Sequence, residues 1–288
     1  MPSIVYLDGK WLPSDEAKVS VFDRGFLFGD GVYEVVMVYN RQPFRLEQHL
    51  TRLFRSLDQT GIPNPLGMHE WRFIIERLID QNEGDQQSIY IQVTRGVTAQ
   101  RSHTYPTGLV PTVFASSQSI SLQKKDTRRN PPCSAITLED LRWARGDIKS
   151  TSLLGSVLLK KMVAESGKDE GILYRDGIVT EGTASNVFIV EKQQIITPCV
   201  SDFLLTGITR DFIFELAARY QMVLLEEDIS LSRLQEADEI WMSSSTAEIR
   251  AITELDGLPV GTGKIGPVWT RMAKLYQKHK SELFSTCA

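Results

Sequence analysis

The stretch that decides the fold runs from Glu181 to Arg210 and contains three short motifs. It reads EGTASNVF at residues 181–188, IITP at residues 195–198 and LTGITR at residues 205–210. The patterns predict a strand that ends at Glu181, a hairpin over 187–197 and a helix over 207–220. Upstream, residues 147–150 read DIKS and place Lys149 just before an apolar helix.

Three groups in this part of the chain have complementary chemistry. A partly buried Lys149 offers an amine that can attack a carbonyl and form an imine. Glu181, followed by small residues, can lie beside a flat heteroaromatic ring and keep its nitrogen protonated. The helix that begins at Gly207 presents free N–H groups and its positive dipole end to an anion. Taken singly, each has an ordinary alternative: a solvated lysine, a strand-end glutamate, or Thr209 as a plain N-cap.

Other polar groups could complete an anion site. Four hydroxyl residues, 243–246, follow a predicted buried strand over 239–243 and offer either phosphate donors or a polar turn. Arg52 falls on the polar side of a helix predicted over 46–60. It could be the charged partner of a bound phosphate, or it could be an ordinary surface residue. Asn186 is expected to brace its loop by hydrogen bonds to the backbone. The patterns place His49 and His69 on helix surfaces, without a role.

A second constellation lies in the N-terminal half. Arg101 and His103 are two residues apart, so on an extended segment both would point to the same side. Together with Tyr33 they could hold one carboxylate, which an arginine can bind with two parallel hydrogen bonds. The alternative is an exposed pair on a loop.

Composition excludes several functional classes. The chain has 288 residues and a net charge of −4, which argues against nucleic-acid binding. Three widely separated cysteines without a CxxC motif or His/Cys metal spacing favour a reducing compartment and no metal site. The sequence has no stretch of about 20 apolar residues, so no membrane span is predicted, and no signal peptide is evident.

The order of predicted elements indicates two domains and an α/β chain, α+β-like, with mixed sheets and many hairpins. A smaller N-terminal α/β domain is expected over residues 1–120, and a Ser-rich, basic and Pro-containing linker over 121–131. A larger domain is expected over 132–288. Turn signals predict hairpins at Asp8-Gly9, Asp176-Gly177 and Asp256-Gly257. Further helices are predicted over 69–82, over 151–165 and from Pro267.

Several of these motifs resemble those of one family. Residues 23–34 read DRGFLFGDGVYE, residues 91–96 read IQVTRG and residues 101–103 read RSH. With Lys149 and the 181–210 stretch, they resemble the class IV (fold type IV) aminotransferases over nearly all 288 residues. The 101–103 motif is similar to the substrate-carboxylate trap of members that act on D-amino acids.

The resemblance implies a two-domain fold type IV enzyme with pyridoxal 5′-phosphate as cofactor. Lys149 would form the imine with the cofactor, Glu181 would face the pyridine nitrogen, and Leu205 would pack on the ring. The residues implied in holding the phosphate are Arg52, Ile208, Thr209, Ser244 and Ser245. Tyr33 would bind the substrate α-carboxylate with Arg101 and His103, the latter two supplied by the neighbouring subunit.

The function implied is transamination between D-amino acids, such as D-alanine, and 2-oxo acids, in a cytoplasmic homodimer. Two enzymes of the same fold type are alternatives. An aminodeoxychorismate lyase would eliminate pyruvate and release 4-aminobenzoate, and the Arg101-x-His103 pair argues against it. A branched-chain L-amino acid aminotransferase usually has a longer chain and lacks this trap. A cofactor-binding protein without turnover is disfavoured, because Lys149, Glu181 and the phosphate-binding motif are all present.

Overall fold

The computed structural model describes residues 3–120 and 131–285, which form two compact units. The first unit contains the described residues up to 120 together with Ile148–Leu153. The second contains residues 131–147 and the described residues from Leu154 onward. The linker predicted over 121–131 lies outside the described residues except for its last position, so that boundary stays a prediction.

The first unit is built on an antiparallel sheet of six strands in the order β2-β1-β6-β5-β3-β4. The strands are β1 (Ile4–Leu7), β2 (Lys10–Pro13), β3 (Gly31–Tyr39), β4 (Gln42–Pro43), β5 (Gln87–Thr94) and β6 (Thr112–Ser119). The helices are α1 (Arg24–Phe28), α2 (Leu46–Thr60) and α3 (Met68–Gln81).

The core of this unit lies between one face of the sheet and two helices. Alternate residues of β3 and β5, such as Val32 and Ile91, are fully buried. Helix α2 packs on β3, and α3 packs on β1, β5 and β6. Leu50, Leu53 and Leu57 follow helical spacing and are buried in the same cluster. The other face of β3 carries the half-buried Tyr33.

The second unit contains a mixed sheet whose path runs β12-β11-β10-β13-β14-β7-β8-β9, with β15 paired to β14. Its strands are β7 (Cys133–Glu139), β8 (Glu170–Arg175), β9 (Ile178–Gly182), β10 (Asn186–Glu191), β11 (Gln194–Thr197), β12 (Leu224–Glu226), β13 (Glu239–Ser244), β14 (Glu248–Leu255) and β15 (Leu258–Pro259). Its helices are α4 (Leu154–Glu165), α5 (Ile208–Arg219), α6 (Leu231–Glu236) and α7 (Pro267–Ser285). Helix α5 packs against β13 and α7. None of the helices within 3–120 and 131–285 is long and apolar enough to cross a membrane.

The expected α/β architecture with mixed sheets and hairpins is confirmed, with one departure near Lys149. The helix predicted over 151–165 begins at Leu154. The preceding segment, Ile148–Leu153, belongs to the first unit although the sequence placed it in the second domain. The physical reason is pairing with β3: Thr151 N donates to Gly31 O at 2.9 Å. Ile148 is also buried in the core of the first unit.

Candidate active site

Lys149 lies on the short segment that pairs with the start of β3. Tyr33 N donates to Lys149 O at 3.0 Å, and Lys149 N donates to Ser56 Oγ at 3.4 Å. The backbone of the lysine is therefore fixed on both sides. Its half-buried side chain places Nζ 4.2 Å from the centroid of the Tyr33 ring. An amine so placed is available for reaction while its chain position is held by the sheet.

A buried ionic cluster lies on the helix face of β3. Arg52 Nε donates to Glu34 Oε1 at 2.7 Å and Arg52 Nη2 donates to Glu34 Oε2 at 2.9 Å. His49 Nδ1 lies 2.8 Å from the same Oε2. Burial raises the pKa of Glu34, but Arg52 and His49 outweigh it and hold the pKa well below its usual range. Burial lowers the pKa of His49.

This cluster corrects two expectations. Arg52 was placed on the polar side of its helix and His49 on a helix surface, yet both side chains are buried. The reason is Glu34, which falls on the buried side of β3 and needs cationic or donor partners from α2. A carboxylate inside an apolar strand, in the run VYEVV, is the sequence signal that could have indicated these partners. Whether Arg52 holds a phosphate stays a prediction.

Glu181 provides a buried negative charge in the second unit. Its Oε1 accepts a hydrogen bond from Arg142 Nη1 at 2.6 Å, and its Oε2 accepts one from Leu205 N at 3.0 Å. Asp140 holds the Arg142 guanidinium in turn, through Nε and Nη2 at 2.9 Å each. Burial raises the pKa of Glu181, and Arg142 and the Leu205 amide act in the opposite direction. No pattern in the sequence indicated Arg142 as this partner.

The N-terminus of α5 has the features of an anion site. Gly207 is its N-cap, and a glycine has no side chain with which to cap the first N–H groups. Ile208 and Thr209 are buried first-turn residues, so Thr209 is not the N-cap. Asn186 Nδ2 donates to Leu205 O at 2.7 Å, which confirms that this residue braces the loop. A Cβ on Gly207 would lie 2.1 Å from Asn186 Oδ1.

The hydroxyl run at the end of β13 adds an unpaired donor. Ser243 lies directly opposite Asn186 in the strand pairing, so the two side chains share a face of the sheet. The Ser243 hydroxyl is buried and has no hydrogen-bond partner among the described residues. Ser244 Oγ accepts a hydrogen bond from Ala247 N at 3.1 Å, and Ser245 is half-buried in the following turn. A buried hydroxyl without a partner is costly, and an additional acceptor would satisfy it.

The pair Arg101 and His103 lies on an exposed loop of the first unit. Residues 101–103 belong to no strand of the sheet, so whether they form an extended segment stays a prediction. The two side chains meet at one aromatic ring: Arg101 Cζ lies 4.9 Å from the Phe28 centroid, and the His103 ring lies 5.4 Å from it. Tyr33 stacks on Tyr90 at 5.7 Å.

Comparison with known proteins identifies the family. The family described as Amino-transferase class IV matches residues 31–255. A D-alanine aminotransferase of Bacillus licheniformis is 39% identical over 264 residues, which cover 92% of each chain. The chain therefore belongs to the class IV aminotransferases. It is an aminotransferase, and its cofactor is pyridoxal 5′-phosphate, on which this family depends.

Two further proteins extend the likeness along the chain. A D-alanine aminotransferase of Staphylococcus aureus (strain COL) is 37% identical over 276 residues, covering 96% of this chain and 97% of the relative. Among solved structures, the branched-chain aminotransferase of the archaeon Thermoproteus uzoniensis with norvaline superimposes with a TM-score of 0.85. It is 26% identical and covers 96% of this chain and 94% of its own.

Proposed function

We propose that this enzyme transfers amino groups between D-amino acids, such as D-alanine, and 2-oxo acids. The observation in the structure that carries the proposal is the N-terminus of α5, which has no side-chain cap because its N-cap is Gly207. Helix α5 packs against β13, the strand that bears the unpaired Ser243 hydroxyl. Such an arrangement suits a phosphate group. The two relatives named D-alanine aminotransferase, which match nearly the whole chain, support the choice of substrate.

The proposed residues fit pyridoxal phosphate by their chemistry. Ile208 and Thr209 would donate their N–H groups to the phosphate, with Ser244, Ser245 and Arg52 as further donors. Ser243 joins this set, since its buried hydroxyl needs an acceptor. Glu181 would pair with the protonated pyridine nitrogen, and Leu205 would pack on the ring while its N–H holds Glu181.

The cofactor, when bound, supplies an electron sink for charge that develops at the substrate α-carbon. Lys149 would attach the cofactor covalently and, once released, move the α-carbon proton with Nζ as general base and acid. The ring of Tyr33 lies against this amine and limits where it can swing. Glu181, with Arg142 behind it, maintains the negative charge that keeps the ring nitrogen protonated.

The carboxylate of the substrate would be held by Tyr33, Arg101 and His103. We propose that Arg101 and His103 serve the site of a neighbouring subunit, so the working enzyme is a homodimer. Their exposure on a loop supports this arrangement. So does α4, whose outer side exposes Leu154, Val157, Leu158 and Met162. We place the enzyme in the cytoplasm, where thiols such as that of the buried Cys133 stay reduced.

A branched-chain L-amino acid aminotransferase is the second candidate, favoured by the structural likeness to the Thermoproteus uzoniensis enzyme. A coupled assay separates the two. The purified enzyme, with pyridoxal phosphate, is given 2-oxoglutarate and either D-alanine or L-leucine, and formation of the new 2-oxo acid is followed. Turnover with D-alanine well above that with L-leucine is expected. Preference for L-leucine would reject the proposed substrate, and pyruvate released from aminodeoxychorismate without an acceptor would indicate a lyase.

A further inference from the structure

The loop that carries Arg101 and His103 is held by one arginine of α1. Arg24 Nη1 donates to Ser102 O at 2.7 Å, and Arg24 Nη2 donates to His103 O at 3.2 Å. A single guanidinium thus fixes two consecutive main-chain carbonyls. One belongs to His103 itself, and the other belongs to the residue between the two side chains that would bind substrate. The orientation of both side chains follows from the path of this backbone.

Arg24 is itself anchored in the body of the first unit. Its side chain is buried, and its Nε donates to Asp30 Oδ2 at 2.7 Å. Asp30 also accepts hydrogen bonds from Arg95 Nε at 2.8 Å and from Arg95 Nη2 at 2.9 Å. Arg95 continues to the end of α2, where it donates to Gly61 O at 3.0 Å. The loop is therefore tied, through Arg24 and Asp30, to a helix that packs on the sheet.

Two aromatic rings complete this connection. The Phe28 ring contacts the Arg24 guanidinium, with Cζ 4.7 Å from its centroid, as well as Arg101 and His103. The Tyr105 ring lies 5.1 Å from Arg24 Cζ and 4.1 Å from Arg95 Cζ. Guanidinium groups stack on aromatic faces in this distance range. The loop is thus fixed at its start by Phe28 and at its end by Tyr105.

We propose that Arg24 is a positioning residue for substrate recognition: it fixes the loop so that Arg101 and His103 are oriented to bind the substrate carboxylate. The inference rests on the proposed function of those two residues. A lysine could not replace Arg24, because an ammonium on a flexible stem cannot reproduce three directed hydrogen bonds to one carboxylate and two carbonyls. Arg24 acts through the loop and does not itself touch the substrate.

The first test compares wild type with Arg24→Lys, using D-alanine and 2-oxoglutarate. The variant should raise KM for both substrates by about tenfold, since a misplaced charge-assisted contact weakens binding to that extent. The turnover number at saturation should change much less. Arg41→Lys is a matched control, because Arg41 likewise donates to a main-chain carbonyl, Ile79 O, and to an aspartate, Asp80. It should keep the wild-type KM values.

Two further measurements separate positioning from general damage. Ethylamine has no carboxylate, so its rate of amino transfer should be the same in wild type and Arg24→Lys. In an Arg101→Ala background, adding Arg24→Lys should raise KM little further, because residues that act through one another are not additive. Phe28→Leu, which removes the ring under both side chains, should show the same selective loss if Arg24→Lys fails to fold.

The outcomes distinguish the inference from the function on which it rests. Wild type without D-alanine turnover would reject the proposed function and this inference with it. An active wild type with unchanged KM in Arg24→Lys, or an equal loss with ethylamine, would overturn the positioning role alone. Full additivity with Arg101→Ala would overturn it as well.

Discussion

At the scale of single residues, the proposed chemistry depends on charged side chains that are partly or fully buried and whose positions are held by other residues. Lys149 and Glu181 were proposed from local motifs, because a lysine before an apolar helix and a carboxylate before small residues occur at recognisable spacing. Their partners Ser56 and Arg142 come from distant parts of the chain. Such long-range pairing leaves no local pattern, so the sequence could not assign it.

The residue that attaches the cofactor is predicted to be Lys149. Reduction of the holoenzyme with borohydride, followed by peptide mapping, should find the pyridoxyl label on this lysine. The reason is its fixed backbone and accessible amine beside Tyr33. Lys160 and Lys161 on α4 serve as internal controls, since Lys160 Nζ donates to Glu170 Oε1 at 2.6 Å and Lys161 lies on the surface. Label on either would refute the assignment.

The Glu34–Arg52 pair is predicted to be essential for stability. Arg52→Met should lower the free energy of unfolding at neutral pH by about 3–5 kcal/mol, because the buried charge of Glu34 loses its guanidinium partner and keeps His49. Adding Glu34→Gln should restore part of that loss. Arg72→Met is the control: Arg72 pairs with Glu47 on the surface, so its loss should cost less than about 1 kcal/mol. Denaturant unfolding measures all four proteins.

The same pair predicts a pH dependence with a definite sign. In wild type the pKa of Glu34 is lower in the folded state than in the unfolded chain, through Arg52 and His49 against the effect of burial. Its contribution is therefore present above the usual glutamate pKa of about 4.3 and is lost as the pH falls further. In Arg52→Met, His49 alone opposes the effect of burial, so the pKa of Glu34 in the folded state should be higher than in wild type. The stability gap between the two proteins should then narrow as the pH falls towards about 4; a constant gap would contradict the pairing.

At the scale of elements, helices and strands with a strong apolar period were predictable. The prediction of a helix over 46–60 matches α2, and the β-branched and aromatic run over 32–39 lies within β3. Helix α1 was not predicted, because it has five residues and contains Gly25. Its caps were visible signals, since the Asp23 side chain accepts a hydrogen bond from Gly25 N and Gly29 has a φ of 66°. Residues 101–103 lie outside the strands, and α1 holds their carbonyls: Arg24 donates to Ser102 O and to His103 O.

The N-terminus of α5 provides a prediction at this scale. Gly207→Ala should weaken pyridoxal phosphate binding, because the new Cβ would displace the Asn186 side chain from Leu205 O. Gly67→Ala is a matched control. Gly67 is the N-cap of α3 with a φ of −76°, close to the −77° of Gly207, and its Cβ would meet only the flexible end of Glu70.

Equilibrium titration of each apoenzyme with the cofactor measures the effect of these two substitutions. The dissociation constant of pyridoxal phosphate should rise about tenfold or more in Gly207→Ala, because charge-assisted hydrogen bonds are lost. It should be unchanged in Gly67→Ala. Equal affinities in the two variants would argue against a phosphate site at α5.

At the scale of the whole molecule, the proposed homodimer accounts for an apolar surface on α4. Leu154 is 72% exposed, Val157 is 59% exposed and Leu158 is 47% exposed. Val157→Asp should shift the enzyme to monomers and lower its activity, since Arg101 and His103 would no longer reach a partner's site. Leu258→Asp is the control, because Leu258 is 69% exposed and lies on a different element, β15. The molar mass measured by light scattering and the rate of D-alanine turnover should both fall in Val157→Asp. Neither should change in Leu258→Asp.

The division of the chain into two units could be predicted only in part. Composition marks a linker over 121–131, yet it cannot indicate that Ile148–Leu153 pairs back onto β3 of the first unit. That pairing is decided by Ile148 entering the first core and by Thr151 bonding to Gly31 O. As a result, Lys149 and Glu181 belong to different units.

The most direct test of the central claim is the handedness of the product. Wild-type enzyme with pyridoxal phosphate, D-alanine and 2-oxoglutarate is allowed to react, and the glutamate formed is resolved by chiral chromatography, with Lys149→Ala as the inactive control. D-glutamate from the wild type and none from the variant is the predicted result. L-glutamate from the wild type, or no glutamate at all, would contradict a D-amino acid aminotransferase that works through Lys149.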